Sequence, residues 1–162
     1  MKNLQDLFEH QLKDIYSAEK QLVDALPMVN KAASSAKLKK EIDSHIKQTE
    51  KHFSTIQKIC DKLDINPTNT KCDAMAGLIK ECKGMSKKKA DANVKDAGLI
   101  ASLQRIEHYE ISAYGTARQY SEALGHKMIT KSLKRILEQE QKADTKLNKL
   151  AINTINQKAL QN

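Results

Sequence analysis

The feature that most constrains this chain is an apolar pattern in which hydrophobic residues recur at alternating steps of three and four positions. An α-helix turns once every 3.6 residues, so residues with this spacing form one stripe along a helix face. The pattern extends over four long segments, and in the first of them it comprises Phe8, Leu12, Ile15, Leu22 and Leu26. We therefore predict four amphipathic helices of about 25 to 30 residues, each about 40 Å long.

The residues that interrupt this pattern indicate how the helices are connected. Ser34 and Ser35 are candidate caps between the first two helices, and Gly125 is suited to end the third. The second and third helices are separated by a connection of about 25 residues, in which 72–81 can form a short helix. These features predict an all-α, ferritin-like four-helix bundle, in which a long crossover containing the short helix joins two antiparallel hairpins. One domain is expected over 1–162.

Composition supports this fold class and excludes others. Charged residues make up 30% of the chain and aromatic residues 4%, with no Trp, 2 Pro and 5 Gly, which is untypical of a β-sandwich or barrel. No apolar run approaches the length of a membrane span, and the first twelve residues lack the apolar core of a signal peptide. The three cysteines suggest neither a disulfide framework nor a zinc site. We expect a cytoplasmic protein that does not contact a membrane.

Polar residues replace apolar ones in all four stripes. The replaced positions are Glu19, His45, Thr49, His52, Glu107, Glu110, Glu140 and Asp144. A buried carboxylate is costly unless it is paired, and several converging carboxylates repel one another or hold protons. A pair of bound cations would remove this cost.

In each predicted hairpin, the polar residues of the two helices lie at about the same height. Counted from a turn near residue 33, Glu19 lies level with the region between His45 and His52. Counted from Gly125, Glu107 and Glu110 lie about as far before the turn as 140 and 144 lie after it. Iron and manganese bind carboxylate oxygen and imidazole nitrogen. The usual Glu-x-x-His motif of such bundles is absent, but the i,i+3 and i,i+4 pairs found here also face one way.

Several stretches resemble the YciE/YciF-like bacterial stress proteins, a ferritin-like family. They are Asp14–Leu22, Cys72–Ile79, Asp96–Ile100, Glu107–Gly115 and Glu140–Leu147. The resemblance implies a bundle related to rubrerythrin and ferritin, often with a two-metal centre, and a stress-linked role. It implies the ligands Glu19, His52, Glu107, Glu110, Glu140 and Asp144. The family has Glu where this chain has Gln48, which removes one anionic ligand. His45 is expected to be structural or to support a ligand, and His108 to lie on the outer face.

Three functions remain open from the sequence. The first is a di-metal protein, with iron or alternatively manganese, that oxidises Fe²⁺ or reduces peroxide and takes O₂ or peroxide as its small-molecule substrate. The second is a non-catalytic protein whose net charge of +8 attracts DNA or another polyanion. Only three of the 28 basic residues are arginine, which favours an ordinary solvated surface instead. The third is an interaction module that forms a homodimer or docks a partner helix.

Overall fold

The computed structural model describes residues 1–161, and every regular element within them is helical. The helices are α1 (Leu4–Ala32), α2 (Ala36–Lys62), α3 (Asp73–Lys87), α4 (Ala92–Ala123), α5 (Lys127–Leu150) and α6 (Asn156–Ala159). A π-helical turn, Ala151–Ile155, joins α5 to α6. The all-α prediction is confirmed. The predicted domain ends at Asn162, which lies outside the described residues.

Side-chain hydrogen bonds cap the N-terminal ends of α1, α2 and α4. The Asn3 side chain accepts a hydrogen bond from the Asp6 amide at 2.8 Å and starts α1. Ser35 caps α2 in the same way, as predicted, and Asp91 caps α4. Such caps satisfy amide groups that have no partner within the helix. Gly125 follows α4 with a positive φ of 77°, a backbone conformation that glycine adopts without strain.

The short helix of the crossover is longer than the sequence predicts. We expected it to end near residue 81 and expected a turn over 84–89, but α3 continues to Lys87. A glycine inside a helix costs about 1 kcal/mol relative to alanine, which is why Gly84 suggested an end. Continuing the helix buries Cys82 and packs Met85 against the core, and this burial outweighs the cost.

The apolar core consists of two clusters. Helix α1 packs against α2, α4 packs against α5, and α3 packs against both α1 and α4. The first cluster gathers side chains from around α3, among them Leu22, Leu38, Ile42, Met75, Leu103 and Leu147. The second gathers side chains from the opposite ends of the long helices, among them Phe8, Leu12, Ile56, Tyr114 and Leu133.

A buried polar layer separates the two clusters along the long helices. On α2, for example, Ile42 belongs to the first cluster and Ile56 to the second, and the residues of the layer come between them. We define the polar layer as Glu19, His45, His52, Glu107, Glu110 and Glu140. It occupies the level at which the apolar stripes of the sequence are interrupted.

Residues 1–161 contain no helix with the combination of length and apolar character that a membrane span requires.

Candidate metal centre

Four long helices each contribute to the polar layer. Glu19 comes from α1, His45 and His52 from α2, Glu107 and Glu110 from α4, and Glu140 from α5. Every one of them is buried, with exposed fractions between 0% for Glu140 and 6% for His45. Helical spacing places both residues of α4 on one face, because positions i and i+3 are neighbours there. The apolar stripes therefore carry these polar groups into the core.

The layer divides into two groups that share one carboxylate. The first comprises His45, Glu107, Glu110 and Glu140, and the second comprises Glu19, His52 and Glu140. Within each group the potential ligand atoms lie within 4.8 Å of one another. Glu140 belongs to both groups, and its two oxygens face different imidazoles.

The shortest contacts run between imidazole nitrogens and carboxylate oxygens. His52 Nδ1 lies 2.7 Å from Glu140 Oε1 and 3.8 Å from Glu19 Oε1. His45 Nε2 lies 3.3 Å from Glu107 Oε1 and 4.0 Å from Glu110 Oε2, while its Nδ1 lies 4.0 Å from Glu140 Oε2. Each histidine thus stands at the centre of its own group of acids.

Two neighbouring side chains orient these ligand-type groups. His52 Nε2 lies 2.8 Å from the amide oxygen of Gln139. Because that oxygen can only accept, Nε2 donates to it, and this bond directs Nδ1 toward the acids. The hydroxyl of Tyr114, which is 1% exposed, donates to Glu19 Oε1. Supporting hydrogen bonds of this kind fix the direction in which a ligand points.

Burial makes the charged forms of these acids unfavourable. It raises the pKa of Glu19 to about 8. Burial, followed by the charge on Glu140, raises the pKa of Glu107 and Glu110 well above the usual range. Burial also opposes ionisation of Glu140, but the hydrogen bond from His52 and the charge of His45 outweigh it and lower its pKa.

The pKa values of the two imidazoles shift in opposite directions. Burial lowers the pKa of His45, which favours the neutral ring that metals bind. Burial works against charging His52 as well, but its hydrogen bond to Glu140 and the charges of Glu140 and Glu19 raise its pKa overall. Without a cation in the layer, a proton on His52 is the nearest compensation for the acids.

The layer fits a metal ion by its donor chemistry. The buried atoms without an aligned hydrogen-bond partner include Glu19 Oε2, both nitrogens of His45, Glu107 Oε2, both oxygens of Glu110 and Glu140 Oε2. Unpaired polar atoms at such depth cost free energy. Carboxylate and imidazole together form the donor set of iron and manganese sites. These buried groups could hold a metal ion.

Five of the six predicted ligands come together, and Asp144 does not. Its Oδ1 accepts a hydrogen bond from Gln104 Nε2 at 3.0 Å and lies 3.4 Å from His108 Nε2. Its side chain is 22% exposed, whereas Glu140, one turn earlier, is fully buried. An aspartate is also one methylene shorter than a glutamate, so it reaches less far into the core. The structure therefore places Asp144 at the edge of the polar layer, and its role as a ligand stays a prediction.

His45 is more central to the polar layer than its sequence position predicts. We expected a structural or supporting residue, but it faces three carboxylates of the first group. Its place on the inward stripe at the level of Glu19 was the available signal. Thr49, on the same stripe, instead donates to the carbonyl of His45 at 3.0 Å. His108 has 69% of its side chain exposed, in agreement with the outer face expected for it.

A second polar cluster and a buried acid were not foreseen. The hydroxyl of Tyr109 donates to Asp14 and lies 3.0 Å from the thiol of Cys72, so this cluster joins α1, α3 and α4. Asp96 on α4 is 1% exposed and accepts the amides of Ser34 and Ser35. Sequence spacing gave no signal for these contacts, because their partners are distant in the chain.

Comparison with known proteins agrees with this architecture. The sequence pattern of a family described as a domain of unknown function, DUF892, matches residues 3–160. The chain is 41% identical to the protein YciF of Escherichia coli over 160 residues, which are 98% of this chain and 96% of that protein.

Two solved structures are similar to this one. The crystal structure of the Escherichia coli stress protein YciF has a TM-score of 0.92 at 40% identity, over 96% of this chain and 99% of the other. The structure of YcfI from Rhodopseudomonas palustris has a TM-score of 0.87 at 38% identity, over 91% of this chain and 94% of the other.

Proposed function

This chain belongs to the DUF892 family, and from that premise we propose that it is a ferritin-like di-metal carboxylate protein that oxidises Fe²⁺ or reduces peroxide. The observation that carries the proposal is that two groups of buried ligand atoms share Glu140. A carboxylate with one oxygen toward each group is suited to bridge two cations. In this proposal the four long helices form a ferritin-like bundle around the pair.

Charge balance supports two cations instead of one. The polar layer contains four carboxylates and two imidazoles. Two divalent ions would balance four ionised carboxylates, and they would remove the penalty that burial places on these acids. Iron is proposed first and manganese second, since both prefer oxygen and imidazole ligands. When bound, an iron pair supplies electrons to dioxygen or peroxide.

The residues of the chain hold and orient this site. Glu107, Glu110 and His45 would hold one ion, Glu19 and His52 the other, and Glu140 both. Gln139 accepts from Nε2 of His52 and keeps Nδ1 directed inward, where it would bind the ion after losing its proton, and Tyr114 restrains Glu19. The two apolar clusters on either side of the layer lower the polarity of its surroundings, which strengthens electrostatic interactions within it.

Metal analysis is the direct test of this proposal. Protein produced with iron and manganese available should contain two ions per chain, and Glu107→Ala should lose at least one of them. Glu122→Ala is a matched control, because Glu122 lies on the same helix and is exposed. The proposal is wrong if the wild-type protein holds no more metal than the Glu107→Ala variant at equal folded fraction.

A role in the stress response is proposed from the relationship to YciF, which is described as a stress protein. Its setting would be the cytoplasm. Iron oxidation and peroxide removal are both chemistries that would suit such a role. Peroxide challenge of cells lacking the gene, complemented with wild-type or Glu107→Ala protein, would measure it. Equal survival with both proteins would contradict a role for the metal site.

One surface favours a second candidate function, binding of a polyanion. Four lysines line a shallow groove beside α3: Lys71, Lys80, Lys83 and Lys87. Their charge would attract phosphates through an interaction that weakens as salt rises. A mobility-shift series with duplex DNA, repeated with Lys80→Glu/Lys83→Glu, tests it. Absence of a shift at low salt rejects this function.

A further inference from the structure

A small cavity lies between α2 and α5 and leads to the polar layer. Its volume is about 90 Å³. Its deep end is formed by buried residues, His45 and Glu107, and its mouth by exposed ones, among them Lys142 and Lys146. The cavity therefore connects the surface with the first group of ligand atoms.

The cavity reaches only one of the two groups. Glu19 and His52 do not line it. In the second group, the hydroxyl of Tyr114 forms a hydrogen bond with Glu19, and the side chain of Gln139 forms one with Nε2 of His52. In the first group, no side chain of residues 1–161 from outside the polar layer forms a hydrogen bond with either nitrogen of His45, and His45 and Glu107 line the cavity. The two halves of the polar layer thus differ in access: the half around His45 is open and the half around His52 is closed.

We propose that this cavity is a binding site and access route for a small uncharged molecule, which reaches the polar layer only at its His45 half. The proposal rests on the proposed function, because the molecule meets the metal pair at this point. Beyond that function, the proposal states from which side the substrate approaches, that it meets the His45 half of the polar layer, and that it is small and uncharged.

Size is the first argument for this class of ligand. One water molecule needs about 10–15 Å³ of such volume, so this cavity admits several small molecules of that size. Dioxygen and hydrogen peroxide fit such a space.

The wall of the cavity is the second argument. Ile42, Leu103 and Leu147 form its apolar part, and Gln48 and Gln139 contribute neutral amides. Moving a charged molecule past such a wall costs free energy that an uncharged one does not lose. At the mouth Lys146 lies 3.4 Å from Glu41, which offsets its charge. The apolar part of the wall therefore favours an uncharged molecule in the deeper part of the route, while Lys142 adds a positive charge at the mouth.

The first experiment uses metal-free, full-length protein with ¹³C-labelled methyl groups, under xenon pressure. Xenon is an uncharged probe of suitable size. We expect saturable shifts of the methyl groups of Ile42, Leu103 and Leu147. Ala143→Phe, which places a ring in the cavity, should remove these shifts, whereas Ala101→Phe on the exposed surface of α4 should keep them. Shifts that are absent in the wild type, or unchanged in Ala143→Phe, would overturn the proposal.

The second experiment uses the metal-loaded protein and hydrogen peroxide. Ala143→Phe should keep its metal content but consume peroxide several-fold more slowly, and Ala101→Phe should match the wild type. If Ala143→Phe does not fold, Ser44→Leu fills the cavity from α2 instead. An equal rate in the filled variants means that peroxide does not use this route.

The two experiments separate failure of the route from failure of the proposed function. If the wild-type protein binds no metal, the proposed function is wrong, and the access claim falls with it whatever xenon shows. If metal is bound but xenon does not enter, or the filled variants react at the wild-type rate, only the access route is wrong.

Discussion

His52 on α2 and Glu140 on α5 approach within 2.7 Å, between Nδ1 of the imidazole and Oε1 of the carboxylate. The other oxygen of Glu140 lies 4.0 Å from Nδ1 of His45, two turns away on the same helix α2. Glu140 is fully buried, so water does not compensate either oxygen. One carboxylate of α5 therefore links both halves of the polar layer, which makes it the most informative position to change.

The first prediction compares Glu140 with Asp144. Glu140→Gln removes the shared anionic ligand, so binding at both halves should weaken and the metal content should fall by one or two ions per chain. Asp144→Asn should leave metal content unchanged, because its carboxylate contacts Gln104 and His108 instead of the layer. Elemental analysis of both variants, normalised to folded protein, measures the difference. Equal losses in the two variants would mean that Asp144 is a ligand as well.

Sequence periodicity predicts the long helices well because burial determines their pattern. The stripe of α2, from Leu38 to Ile59, is buried as the spacing requires. The predicted end of α3 was wrong, because Gly84 favours a helix end locally. The burial of Cys82 and the packing of Met85, which the sequence does not reveal, extend the helix to Lys87. Local preference is weak where tertiary packing opposes it.

The interruptions in the stripes predict which residues are buried but not which atoms meet. Glu140 and Asp144 are one turn apart on the same stripe, yet only Glu140 enters the layer. Side-chain length and the contacts of Asp144 with Gln104 and His108 decide between them, and neither can be derived from spacing. The contact of Asp96 with the turn after α1 could not be predicted from the sequence either. It depends on how α4 packs against that turn.

The second prediction concerns the hydroxyl of Tyr114. Tyr114→Phe keeps the ring in the core but removes the hydrogen bond to Glu19. Loss of a group that orients a metal ligand typically lowers metal affinity about 10- to 100-fold. Competition with a chelator of known affinity measures the change. Tyr16→Phe is the control, because Tyr16 is also buried and packs against Phe53. Equal affinity in wild type and Tyr114→Phe would show that the hydroxyl does not support the site.

The third prediction concerns Asp96, which connects α4 to the turn between α1 and α2. Its two oxygens accept the amides of Ser34 at 2.8 Å and Ser35 at 2.7 Å. Asp96→Ala leaves these two amides without their partner and should lower the free energy of unfolding by about 2–3 kcal/mol. Urea denaturation measures it. Asp73→Ala, at a side chain that is 92% exposed, should change stability little. A similar loss in both variants would contradict the role assigned to Asp96.

The last prediction is that the metal-free protein becomes less stable as pH rises from about 5 to 8. Burial raises the pKa of Glu19 to about 8, and those of Glu107 and Glu110 also rise. In this range the folded chain keeps protons that the unfolded chain has released, so stability falls with increasing pH, by up to about 1.4 kcal/mol per unit for each group.

Denaturation with a chelator present, at several pH values, measures this slope, and Glu19→Gln should make it shallower. Burial lowers the pKa of His45 and so acts in the opposite direction near neutral pH, but it is one group against three. Bound metal should reverse the trend, because its ligands must lose their protons to bind it. A metal-free protein whose stability rises between pH 5 and 8 would mean that these acids are ionised in the fold and compensated by other groups.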